Sequence, residues 1–146
     1  MLRRYTIYRG ARPPGDALPD GVRQDARFRC KKHPLHPPEA LVKAYFAAPG
    51  EAAWQEFRRA YVAELERRFQ EDRTPFDRLA ALATEQDLYI GCSCPTKRNP
   101  RVDRCHTWLA LEFMQGKYPG LRVEFPAAGI GRRENIGPLP GTLPRG

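Results

Sequence analysis

A chain of 146 residues, 41% of them hydrophobic and 29% charged, can build one globular core and is too apolar to stay disordered. Its formal net charge of +8, carried far more by arginine than by lysine, favours anionic partners, although a basic surface that only confers solubility would give the same balance. No apolar run is long enough to span a membrane, and the start Met1-Leu2-Arg3-Arg4-Tyr5 lacks the apolar stretch of a secretion signal. A cytoplasmic setting is therefore expected, with Cys30, Cys92, Cys94 and Cys105 reduced.

In chain order, Arg4 to Tyr8 is a short strand-prone run that stops at Gly10, and Arg12-Pro-Pro-Gly-Asp16 is a loop. Val22 to Cys30 predicts a second strand centred on Ala26–Cys30. His33-Pro-Leu-His-Pro-Pro38 is irregular, because each proline restrains the residue before it. Glu39 to Ala47 predicts a helix stopped by Pro49-Gly50. From Glu51 to Glu71, Trp54, Phe57, Tyr61, Leu65 and Phe69 recur every three or four residues, a single apolar stripe read as core.

Thr74-Pro75 opens a shorter helix carrying Phe76, Leu79, Ala80, Leu82 and Ala83. Leu88-Tyr-Ile-Gly-Cys92 is a short apolar run with the character of a buried strand. A loop from Cys94 to Asp103 leads to a helix over Arg104–Gln115, with Asp103 as its expected cap. Leu121–Phe125 is expected to be the last strand. Residues 1–126 thus predict a single α/β domain, a small, largely parallel central sheet flanked by helices, and residues 127–146 a Pro/Gly-rich tail. Ligands of such sheets bind beyond the carboxyl ends of the strands, which places the candidate site after Cys92.

The Trp54, Phe57, Tyr61, Leu65 helix, the Leu88–Cys92 strand and the Cys105-His106 helix start together resemble the bacterial and archaeal domain-of-unknown-function family numbered 488 (DUF488). The Cys92-x-Cys94-Pro95 and Cys105-His106 portion also resembles a neighbouring family, numbered 4326. The resemblance covers roughly Phe28 to Phe125. It implies a compact α/β fold with the Cys and Cys-His elements close together, and it implies no particular reaction. Many members of the first family follow Cys-His with a basic residue. Here Thr107 stands in that place, so a basic contact would come from Arg104, Arg101 or Arg98 instead.

Several chemistries fit these residues. One is a pocket for a nucleotide-like or phosphate-bearing ligand, with contacts from Cys94, Lys97, Arg98, Arg101, Arg104 and Thr107 around the N-terminus of a helix. A second is thiol catalysis by Cys105 with His106, or with His33 or His36 as the base. A third is a metal site, zinc by its ligand types, on Cys92, Cys94, Cys105 and His106, with Cys30, His33 and His36 as substitutes; with an open position it would suit a zinc-dependent enzyme acting on a nucleotide or nucleic acid. A fourth leaves Cys92 as core packing. The basic N-terminal third, with Tyr5, Tyr8 and Phe28 interleaved, also suits a nucleic-acid-binding accessory protein. Whether the chain is an enzyme stays open at this point.

Overall fold

A computed structural model describes residues 1–127. Three strands, β1 (Leu2–Thr6), β2 (Val22–Asp25) and β3 (Leu88–Cys92), form one parallel sheet in the order β1-β3-β2, with Leu88 aligned to both Leu2 and Val22. Among the described residues four α-helices accompany the sheet: α1 (Glu39–Ala47), α2 (Glu51–Glu71), α3 (Thr74–Glu85) and α4 (His106–Lys117). This is the α/β architecture expected from the alternating order of elements. Among the described residues, no helix is long and apolar enough to cross a membrane. The tail expected at 127–146 lies outside the described residues, apart from Ala127.

β3 is central because every one of its residues is apolar enough to be buried, which a parallel strand covered on both faces requires. At Gly91 the backbone passes close under its neighbours. A Cβ there would lie 2.7 Å from both Ile7 Cδ1 and Tyr5 Cε1. Beyond the strand ends the pairing continues for one step on each side, Ile7 N–H to the Cys92 carbonyl (2.9 Å) and Ala26 N–H to the Gly91 carbonyl (3.0 Å). All three strands therefore deliver their carboxyl ends to one edge.

The aromatic stripe of α2 is buried as its spacing predicts, through Trp54, Phe57, Tyr61 and Leu65. The Tyr61 hydroxyl donates to the Leu35 carbonyl at 2.5 Å, and Arg68 donates to the carbonyls of Pro34 (2.9 Å) and His36 (2.8 Å). These bonds fix the proline-rich segment that has no regular structure of its own.

Four boundaries differ from expectation. β1 runs from Leu2 to Thr6 rather than from Arg4 to Tyr8. β2 stops at Asp25, because the Asp25 carboxylate accepts from the Arg27 backbone (3.0 Å) and guanidinium and turns the chain away. Asp103 does not cap α4. It lies in a single 3-10 turn, Val102–Arg104, with its carboxylate taken by Arg101, and Cys105 occupies the cap position. Leu121–Phe125 is not a strand of the sheet: it contributes one isolated parallel bridge, Leu2 with Val123, because Leu2 is the one β1 residue whose backbone bonds to it, through Arg122 and Glu124.

Candidate functional site

Cys92 ends β3, Cys94 follows two residues on, and Cys105 sits at the cap of α4, so one strand-to-helix passage supplies all three thiols. Their sulfur atoms lie within 4.8 Å of one another. All are nearly buried, at 8%, 8% and 3% exposure, and none forms a disulfide. Three soft donors at this spacing could hold a metal ion. Cys30 stands outside the group.

The loop between them is held by side chains. Asn99 and Thr96 exchange backbone hydrogen bonds (3.0 and 3.1 Å), and the Asn99 amide donates to Cys94 Sγ at 3.1 Å and to the Arg104 carbonyl at 2.9 Å. From the sheet, Arg4 donates to the Cys94 carbonyl (2.6 Å) and to Thr107 Oγ1 (3.1 Å), and Thr6 Oγ1 donates to the same carbonyl (2.9 Å). Thr107 Oγ1 in turn donates to Cys105 Sγ at 3.2 Å. The Cys94–Pro95 peptide is cis.

His106 is buried against the same cluster. Its Nε2 lies 2.7 Å from the Ala26 carbonyl, which can only accept, so Nε2 carries a proton. Nδ1 faces Cys105 Sγ at 3.8 Å, and the ring stands edge-on to Tyr61. Hydrogen bonds from the Cys92 and Cys94 thiols, helped by His106, outweigh burial at Cys105 and bring its pKa well below the usual thiol value. Cys94 is pushed up, because it gives its proton to Cys105 and Cys92 in a dry site. Burial alone would lower His106, but the Cys92 and Cys105 sulfurs reverse this and raise it to about 10. The metal-free cluster therefore favours a thiolate at Cys105 beside an imidazolium.

A cavity of about 1040 Å³ opens above these groups, with Cys92, Cys94, Cys105 and His106 at its inner end. Tyr8, Phe28, Tyr45, Phe46, Trp54 and Phe57 line its walls. Its rim is cationic. Arg27 pairs with Asp25 at 2.7 Å and Arg104 pairs with Glu51, whereas Arg9, Arg29, Lys97 and Arg98 have no carboxylate partner among the described residues. Arg98 lies over the Phe46 ring at 4.4 Å and Arg29 over Phe28 at 5.7 Å, so two of these cations are ordered by aromatic faces.

Of the residues expected at the site, Cys92, Cys94, Lys97, Arg98, Arg104, Cys105 and His106 all line this cavity. Two do not. Arg101 is exposed and paired with Asp103 at 2.7 Å, and Thr107 is fully buried behind Cys105, where it acts on sulfur rather than on solvent. His33 bonds Gln24 (2.8 Å), His36 packs against Arg68, and neither reaches the cavity. Sequence reasoning missed Arg4, Thr6 and Asn99, which carry no motif. It also read Trp54 and Phe57 as core only. They are core, but each also lines a cavity wall.

The family model described as the active DUF488-N3 subclade (DUF488-N3a) matches residues 15–117, a span that contains the three clustered thiols and His106. No curated protein and no solved structure matches the chain.

Proposed function

The chain belongs to the DUF488 family, and we propose, from the lining of its cavity, that it binds a nucleotide-like, phosphate-bearing ligand above Cys92, Cys94 and Cys105. One observation carries this reading: aromatic walls and four cations without carboxylate partners, Arg9, Arg29, Lys97 and Arg98, meet at a single opening. Aromatic faces accept a flat heterocycle, and guanidinium groups recognise phosphate oxygens by paired hydrogen bonds. Many arginines elsewhere in the fold pair with carboxylates, as in Arg59–Glu56 and Arg67–Glu64. Cations left without a carboxylate beside an apolar hollow favour an anionic, partly aromatic guest.

The thiol cluster at the inner end of the cavity is the seat for a metal, and zinc is an ion that its three soft sulfur donors suit. Four free cysteines are in keeping with a reducing, cytoplasmic setting. Calorimetric titration with adenosine monophosphate, adenosine and inorganic phosphate tests the ligand reading. Adenosine monophosphate should bind more tightly than either fragment, because only it engages both walls and rim. Equal or absent binding of all three would refute the reading.

A further inference from the structure

The three sulfurs approach within 4.8 Å, while His106 stands outside their group. Tetrahedral zinc with bonds of about 2.3 Å holds its sulfurs roughly 3.8 Å apart, inside that limit. We infer that Cys92, Cys94 and Cys105 bind one zinc-class ion whose fourth coordination position is open to the cavity, where it takes water or a donor atom of the cavity's ligand. The metal site stands on the sulfur geometry alone. The identity of the fourth donor rests on the ligand reading above.

Three observations converge. First, the sulfurs already act as acceptors. Asn99 donates to Cys94 Sγ at 3.1 Å and Thr107 donates to Cys105 Sγ at 3.2 Å, the bonding that metal thiolates receive from their surroundings. Second, His106 stands aside from the metal position. Its Nε2 proton is given to the Ala26 carbonyl at 2.7 Å, and its Nδ1, although 3.8 Å from Cys105 Sγ, does not lie within 4.8 Å of all three sulfurs. It is a positioning residue that braces Cys105 through Nδ1. Third, all three cysteines line the cavity, so the side of the cluster away from the strand and the helix faces the ligand space.

Three protein ligands and one exchangeable position is the arrangement of reactive zinc sites rather than of structural ones, which close with a fourth side chain. Three thiolates and a divalent ion leave one negative charge. His106 lies against that charge at Cys105, and Arg4 connects to it through Thr107. An ion held this way polarises whatever occupies its open position.

The test uses the full chain, purified under reducing conditions. Elemental analysis should find about one zinc per chain. Exchange into cobalt(II) should give intense sulfur-to-metal charge-transfer bands and a tetrahedral visible spectrum, and added azide should shift that spectrum by entering the open position. His106→Asn should keep full metal stoichiometry, whereas Cys105→Ser, if folded by circular dichroism, should lose it. The cobalt spectrum of the unaltered chain reports thiolate coordination even if that variant fails to fold. Absence of stoichiometric metal after reduction and reloading, metal loss in folded His106→Asn, or a spectrum blind to azide would overturn the proposal. Adenosine monophosphate titrated into zinc-free protein separates the two readings. Binding there with no metal uptake sinks the metal site alone, and a loaded metal site without nucleotide binding sinks the ligand reading alone.

Discussion

Asn99 donates to the Cys94 sulfur at 3.1 Å with the same amide that donates to the Arg104 carbonyl, so one side chain ties the start of the thiol loop to its end. Its own burial, at 5% exposure, makes both bonds costly to lose. Asn99→Ala leaves the half-buried Arg104 carbonyl without this donor and should destabilise the fold by about 1–3 kcal/mol in urea unfolding. The same variant should make Cys94 react faster with a thiol reagent, because the loop that covers it loosens.

Arg4 reaches the same loop from the opposite side. Its fork spans the Cys94 carbonyl and Thr107 Oγ1, a geometry that an ammonium group cannot reproduce. Arg4→Lys should therefore behave almost like Arg4→Ala in thermal unfolding, with each losing about 1–3 kcal/mol for bonds from a charged donor. A lysine variant as stable as the unaltered chain would show that charge alone matters there.

Gly91 tests the sheet beneath the site. A Cβ at 2.7 Å from Ile7 and Tyr5 must displace both side chains, so Gly91→Ala should cost about 1–3 kcal/mol by overpacking, read as a lowered urea midpoint with an unchanged slope.

His33 gives the fold a definite acid sensitivity. Burial, reinforced by repulsion from His106 and His36, pushes its pKa down to about 4. The folded value lies below the ordinary value near 6.5, so the unfolded chain takes up the proton first as pH falls. His33's contribution is fully present above about pH 6.5 and is lost progressively down to about pH 4, by as much as about 3 kcal/mol. Urea unfolding across that window should show the decline, and His33→Gln should flatten it.

Arg98 separates ligand binding from stability. It has no carboxylate partner among the described residues, and its contact is the Phe46 face, so Arg98→Ala should leave thermal unfolding within about 0.5 kcal/mol. Adenosine monophosphate binding should weaken roughly tenfold, the range for loss of one charge-assisted contact. If single-stranded nucleic acid were the true partner, its binding would far exceed that of the mononucleotide and fall steeply with salt.

The fold was largely readable because its signals are periodic. The stripe Trp54, Phe57, Tyr61, Leu65 and the unbroken apolar run of β3 leave little choice of element. Leu121–Phe125 failed as a strand because its pattern carries no record of how short the alongside run of Leu2 would be. That Cys92, Cys94, Cys105 and His106 come together was readable, since strand ends and helix starts meet at one edge of a parallel sheet. Arg4, Thr6 and Asn99 were not, because their roles depend on contacts about ninety residues apart or on one loop turn, and neither leaves a spacing to read. Thr107 was misplaced for a related reason: once α4 starts at His106, its side chain turns inward toward Cys105.

The claim that a nucleotide-like ligand sits directly above the thiols is tested most directly by protection. Reduced, metal-free protein is alkylated with iodoacetamide, with and without saturating adenosine monophosphate, and each cysteine is followed by mass spectrometry. Slower labelling of Cys94 and Cys105 in the presence of the nucleotide, with Cys30 outside the cavity unaffected, is the predicted result. Equal rates at Cys94 and Cys105 with bound nucleotide would contradict it.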